Sequence, residues 1–189
     1  TASVSPASFS DEIFAHFSLP AYDSARYPVL QLGSEILSNK TLLPSDAVLV
    51  SKLNPEIPRV WLPPEKPTYR AVSSTEFLVF TAKGGSSQHY LYCLFREAGM
   101  RQRLQGLVTG TSKSHQRVSP KALAQLESVV PERELVECFT QMSAPILKRI
   151  QHIQEENRTL AATRDLLLPK LMSGEIRLSE AEDLIEAAQ

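Results

Sequence analysis

The chain has 189 residues, of which 42% are hydrophobic and 22% charged, and its formal net charge is −1. This composition is typical of one globular domain with an appendage, and it excludes extensive disorder. No apolar run approaches the roughly 18 residues of a membrane span. The N-terminal residues lack a basic-then-apolar signal pattern, and the two cysteines suit a reduced compartment, so we expect a cytoplasmic protein.

Prolines punctuate the first 70 residues, which favours short extended segments because proline is excluded from helix interiors and central strands. Residues 46–53 (DAVLVSKL) form a continuous apolar run with turn residues on both sides, which predicts a buried strand. Residues 59–62 (RVWL) and 76–81 (EFLVFT) are predicted as further strands. The glycines at 84 and 85 then interrupt the pattern.

Apolar residues at helical spacing predict a helix over residues 88–104, with Ser87 as its N-cap. The polar stretch at residues 107–116 (LVTGTSKSHQ) is predicted to be a loop. Ser119 and Pro120 have the pattern of an N-cap followed by proline at the first position of a short helix. Residues 126–130 are predicted as a last strand that ends at Pro131.

A long helix is predicted from Glu132, with a kink or restart at Pro145 and an end at Pro169 and Gly174. Its apolar residues recur at gaps of three and four, which is typical of a helix that pairs with another helix. The residues expected to pair are Phe139, Met142, Ile146, Ile150, Ile153, Leu160 and Leu167, together with Asn157 near the same line. The acidic residues 179–189 predict a short tail helix.

Charge is distributed unevenly along the chain. Residues 1–130 carry 13 Lys and Arg against 10 Asp and Glu, whereas the remainder carries 7 against 11. Between Phe77 and Lys121 the only acidic residue is Glu97, against seven basic residues. Such a segment can give a nearly neutral protein one positive face, which is what nucleic-acid binding requires, although a solvated helix face has the same composition.

The C-terminal part of the long helix carries the most specific motif. Residues 155–157 (EEN), Leu160, residues 164–165 (RD) and residues 167–176 (LLPKLMSGEI) resemble the end of the spacer helix in specificity subunits of type I restriction-modification systems. The N-terminal part resembles one class of target-recognition domain of the same subunits. That resemblance lies in FSLPAYD at 17–23, NK at 39–40, LVSKLNP at 49–55, RVWLP at 59–63, TGTS at 109–112 and RV at 117–118.

The resemblance implies an α+β fold, with a mixed α/β globular domain followed by a long helix that pairs as an antiparallel coiled coil. Residues 1–131 would be the target-recognition domain, 132–178 the spacer and 179–189 the tail. The implied function is recognition of one half of a bipartite DNA site, without catalysis by this chain. The implied partners are double-stranded DNA, the modification and restriction subunits, and a second spacer helix from the same parent or from a homodimer partner. S-adenosylmethionine, ATP and Mg²⁺ are expected on the partner subunits.

Three groups of residues could contact DNA, because each combines a cation with amides or hydroxyls. The polar loop is the first, the glycine turn that leads into the helix at 88 is the second, and the end of the strand at 46–53 is the third. The residues are Thr109, Thr111, Ser112, Lys113, Ser114, His115, Gln116 and Arg117; Lys83, Ser86, Ser87 and Gln88; and Lys52, Asn54 and Arg59. An ordinary surface loop and an ordinary turn are the competing interpretations of the first two, and Trp61 is expected in the core or at its rim.

No metal site is expected, because the four histidines share no spacing with each other or with the cysteines. An enzyme is not favoured either: LNPE at 53–56 only superficially resembles a methyltransferase motif, and a glycine-rich cofactor loop is missing. The alternative function is a scaffold protein that does not bind DNA and assembles through its coiled-coil helix.

Overall fold

The structure is a computed structural model that describes residues 2–64, 67–109 and 116–177. The chain divides into two compact units, Thr1–Pro145 and Ile146–Gln189. The first contains all the β-structure of the described residues, and a long helix begins inside it and continues through the second. The fold class predicted from the sequence, a mixed α/β body followed by a long helix, is confirmed. The three segments predicted as domains stay a prediction.

A five-stranded sheet is built mainly from the N-terminal third of the chain. Its strands are β1 (Ser3–Val4), β2 (Ile13–Phe17), β3 (Val29–Leu32), β4 (Lys40–Leu42) and β7 (Arg70–Ser73), in the order β1-β4-β7-β2-β3. The β2–β7 pair is parallel, and the other three pairs are antiparallel. Short 3₁₀ helices, Pro6–Phe9 and Gly33–Glu35, and helix α1 (Leu19–Ala25) connect the strands.

A second, antiparallel sheet contains the strands predicted from the sequence. Its order is β6-β5-β8, with β5 at Ala47–Ser51, β6 at Val60–Trp61 and β8 at Phe77–Thr81. Every residue of β5 is buried, as its continuous apolar run predicts. These three strand predictions are therefore confirmed, with bounds shorter by one to three residues.

The aromatic core joins the two sheets. The Trp61 ring lies 4.7 Å from the ring of Phe17 and 6.1 Å from that of Phe77, both edge-on, which is a favourable arrangement for aromatic pairs. The Tyr22 ring lies 5.3 Å from Trp61, and its hydroxyl donates to the carbonyl of Val60. Trp61 thus belongs to the core, as expected.

The helical segment predicted at 88–104 consists of two helices, α2 (Gln88–Arg96) and α3 (Ala98–Gly106). They are separated by Glu97, whose backbone is extended and whose carboxylate accepts hydrogen bonds from the backbone N–H groups of Gly99 and Met100, at 2.8 and 2.7 Å. A side chain that caps a new helix start ends the preceding helix, which is why the prediction of one helix was wrong.

Two other predictions in the first unit need correction. Residues 126–130 form no strand, because carbonyls in this segment are bonded by side chains: Tyr90 donates to Val129 and Arg103 to Glu127. The segment predicted as a loop at 107–116 contains strand β9 (Val108–Thr109) near its start and is followed directly by strand β10 (Arg117–Val118). Pro120 does begin a short helix, α4 (Pro120–Ala124), but the Ser119 side chain accepts no capping hydrogen bond from its backbone.

The long helix, α5, spans Arg133–Ser173 and ends at Gly174, which adopts a left-handed conformation with φ of 72°. The helix continues through Pro145 and Pro169, so the restart predicted at the first and the end predicted at the second are wrong, although each proline lacks a backbone donor and crowds the carbonyl four residues before it. No helix in the described ranges is long and apolar enough to cross a membrane. The predicted tail helix at 179–189 lies outside the described residues.

Candidate nucleic-acid interface

The polar segment predicted to contact DNA is the connection of a two-stranded ribbon. Strands β9 and β10 are antiparallel, with Thr109 opposite Arg117 and Val108 opposite Val118. The ribbon therefore holds both ends of the connection in fixed register. Gln116, which directly precedes β10, is half-buried. Five predicted contacts lie outside the described residues: Thr111, Ser112, Lys113, Ser114 and His115.

The residues that follow β5 lie against this ribbon. The Val118 N–H donates to the Lys52 carbonyl and the Asn54 N–H to the Gln116 carbonyl, both at 2.9 Å. Asn54 adopts a left-handed backbone conformation, with φ of 47°, which asparagine tolerates better than most residues. Two groups that are about 60 residues apart in the sequence, Lys52 with Asn54 and Gln116 with Arg117, are thus brought together by backbone hydrogen bonds.

An acidic residue that was not predicted as a contact lies in this cluster. Glu76 Oε1 is 3.1 Å from Arg117 Nη2, and the Glu76 carbonyl accepts a hydrogen bond from the Lys52 N–H. The available signal was its position: Glu76 immediately precedes the stretch between Phe77 and Lys121 that contains Glu97 as its only acid.

The predicted contact Arg59 has a different environment. Its Nε and Nη2 donate to the two carboxylate oxygens of Asp23, at 2.7 and 2.9 Å, and its side chain is only 11% exposed. Asp23 lies in α1, and Arg59 directly precedes β6. This bidentate pair links two elements of the body, so the position of Arg59 does not support its assignment to DNA.

The glycine turn before α2 places two of its four predicted DNA contacts, Lys83 and Ser86, outside the core. The Ser86 hydroxyl accepts from the Lys83 N–H and donates to the Lys83 carbonyl, which closes the turn, and the Lys83 side chain is exposed. Gly84 and Gly85 have φ of 60° and 87°, a region that residues with a Cβ rarely adopt. Lys83 and Ser86 therefore remain candidates for contact with a phosphate.

Two other residues of this turn are used inside the protein. Ser87 caps α2 by accepting from the Tyr90 N–H at 3.0 Å, and its hydroxyl lies 2.6 Å from that of Thr140 in α5. Gln88 is buried, and its Nε2 donates to the Ala47 carbonyl at 2.7 Å. The buried position of Gln88 corrects its assignment as a DNA contact: its amide joins α2 to β5.

The electrostatic character of the basic stretch depends on how its one acid is held. The hydrogen bonds from Gly99 and Met100 lower the pKa of Glu97, so its negative charge lies at the N-terminus of α3. Arg96 stacks over the Tyr92 ring, and the Arg103 side chain donates to a carbonyl, whereas Lys83 is exposed.

In the ranges that the structure covers, no three His, Cys, Asp or Glu side chains are arranged to hold a metal ion.

No family model matches the chain. It is 28% identical, over 90 residues, to the type I restriction enzyme HindI specificity subunit of Haemophilus influenzae. That alignment covers 48% of this chain and 19% of the relative. The HsdS subunit from Thermoanaerobacter tengcongensis has the same fold: its crystal structure matches 90% of this chain, with a TM-score of 0.60 and 18% identity.

The chain is therefore similar to type I specificity subunits in part of its sequence and in its fold. A second solved structure, from a study of complex assembly and conformational transition in a type I restriction-modification system, matches 94% of the chain, with a TM-score of 0.63 and 19% identity. The chain spans less than half the length of either solved structure, 44% and 47%.

The long helix α5 exposes most of the residues predicted to pair. Phe139 and Met142 in the first unit, and Ile146, Ile150, Ile153, Asn157 and Leu160 in the second, are exposed, whereas Leu167 is buried. Large apolar side chains on one helix that are open to water favour burial against another surface.

Proposed function

We propose that this chain reads one half of a bipartite DNA site as the recognition part of a type I specificity subunit. The observation that carries the proposal is the cluster in which β10 and the end of β5 join Lys52, Asn54 and Arg117 at the base of the β9–β10 connection. A cation and an amide at the base of a ribbon are the groups that phosphates and base edges require. The fold, shared with specificity subunits over nine-tenths of the chain, supports the same conclusion.

The proposal includes the partners of such a subunit. The chain would dock a modification subunit that uses S-adenosylmethionine and a restriction subunit that uses ATP and Mg²⁺, and it would itself perform no chemistry, in the cytoplasm. These assignments rest on the similarity to specificity subunits, of which the chain spans less than half the length.

The long helix α5 would act as a spacer helix and pair with a second, antiparallel spacer helix. Its 41 residues give a length of about 60 Å, and the exposed line from Phe139 to Leu160 runs along much of it. The second helix would come from the same parent polypeptide or from another copy of the chain.

The proposal is tested by DNA binding of the intact chain. A duplex is selected from a random pool, and its affinity and that of a scrambled duplex are measured as the salt concentration rises. A DNA-reading chain prefers the selected duplex, and its binding weakens steeply because phosphate contacts release counterions. If the chain assembles but binds neither duplex, the scaffold alternative is correct instead.

A further inference from the structure

Glu76 is the acidic residue of the cluster that we propose to face DNA, and both its backbone and its side chain form contacts there. Its backbone carbonyl accepts from Lys52, its backbone N–H donates to the Ser74 hydroxyl, and its Oε1 pairs with Arg117. Its Oε2 is buried and has no hydrogen-bond partner among the described residues. The carboxylate is therefore fixed next to the Arg117 guanidinium rather than turned away into solvent.

Stability alone does not explain this ion pair. The side chains are 56% exposed for Arg117 and 31% for Glu76, and ion pairs exposed to this degree contribute little to folding. The strands are joined by backbone hydrogen bonds at Lys52, Asn54 and Val118 without its help. A carboxylate in a DNA-facing cluster also repels phosphates, so its presence there has a cost for binding.

The pair does change how Arg117 can meet DNA. An unpaired arginine binds any phosphate, because the attraction is independent of sequence. A neighbouring carboxylate partly neutralises the charge of an arginine and holds its planar guanidinium in one orientation. Such an arginine binds phosphates less tightly, but its N–H groups stay oriented to hydrogen-bond a base edge. A negative neighbour therefore lowers affinity for all sequences and raises discrimination between them.

We propose that Glu76 is a specificity-determining residue, which positions Arg117 and suppresses its binding to phosphates of non-cognate DNA. Sequence discrimination by this half of the site then depends on an acid that itself contacts no base. The inference rests on the proposed function, because it needs the cluster to face DNA.

The test is Glu76→Gln in the intact chain, with the selected and scrambled duplexes as probes. Glutamine keeps the size and one acceptor oxygen but removes the charge. We expect tighter binding to scrambled DNA, a salt dependence of log K that is steeper by about 0.9 for that duplex, and a preference for the selected duplex that falls by about tenfold.

A matched control is Glu12→Gln. Glu12 pairs with Arg70, the two side chains are 38% and 33% exposed, and Arg70 lies in the five-stranded sheet. This control should leave both the preference and the salt dependence unchanged. In the double variant Glu76→Gln with Arg117→Gln, the added salt dependence should disappear, since Arg117 is the group that gained the phosphate.

Arg117→Lys provides an independent variant that keeps the charge but lacks the planar fork. It should retain the salt dependence for scrambled DNA and lose preference for the selected duplex. The proposal is overturned if Glu76→Gln behaves like Glu12→Gln, or if Arg117→Lys keeps the full preference. If the unaltered chain shows no preference for any duplex, the proposed function itself fails.

Discussion

Gln88 allows the clearest test of where the body ends and the interface begins. Sequence pattern places it among residues that contact DNA, whereas the structure buries it, with Nε2 2.7 Å from the Ala47 carbonyl and 3.4 Å from that of Pro63. Gln88→Ala removes the donor and opens space in the core. An unpaired buried polar group costs about 1–3 kcal/mol, and a small cavity adds to this. We therefore expect the free energy of unfolding to fall by about 2–4 kcal/mol.

Urea unfolding followed by fluorescence measures this loss directly. Trp61 is the single tryptophan of the chain and is buried in the core, so its emission reports on the body that contains Gln88. Gln116→Ala is the control. It keeps the backbone carbonyl that Gln116 contributes to the cluster, so stability should be unchanged, and it removes a side chain predicted to contact DNA, so DNA binding should weaken. The reasoning is refuted if Gln88→Ala unfolds like the unaltered chain and yet loses DNA binding, since Gln88 would then contact DNA.

Glu97→Gln should lower stability at neutral pH. Because folding lowers the pKa of Glu97, the stabilisation by its carboxylate is present above the unfolded-state pKa and is lost as pH falls through the folded-state pKa. The difference in urea midpoint between variant and parent should therefore shrink in acid. A difference that persists at low pH would contradict this. Lys113→Ala with Arg117→Ala should weaken DNA binding at unchanged circular dichroism, and unchanged affinity would exclude the β9–β10 connection as a contact. Polar replacements of Ile146, Ile153 and Leu160 should reduce the mass of the assembly in light scattering; an unaltered mass would mean that these side chains pair with no other helix.

Elements encoded locally were predictable from the sequence. The apolar run of β5 and the cap at Ser87 each depend on residues close in the chain, and both lie where the pattern placed them. The long helix also began within one residue of its predicted start, because its apolar spacing persists over many turns.

Elements that depend on distant partners were not predictable. The parallel pairing of β2 with β7 joins Phe14 to Arg70, and no pattern within either segment specifies that partner. The segment at 126–130 has strand-like residues, but the side chains of Tyr90 and Arg103 reach its carbonyls, and strand propensity yields to such context.

In the candidate interface, too, residue types were predictable from the sequence, whereas contacts between distant residues were not. Residue types selected Lys52 and Asn54 in one candidate group and Arg117 in another, and their contact with DNA stays a prediction. Their proximity to each other was not predicted, because it requires the register of β10 against the end of β5. Arg59 and Gln88 have the chemistry of DNA contacts and are used within the body instead, through Asp23 and Ala47. Only the tertiary structure distinguishes a polar side chain at the surface from one that joins two elements.

The most direct test of the central claim is a map of methylated adenines in the source cell, before and after deletion of the gene that encodes this chain. We expect a bipartite methylated motif that is lost on deletion and restored by the unaltered gene. A methylation pattern that is the same with and without the chain would contradict the proposal that it reads DNA for a modification subunit.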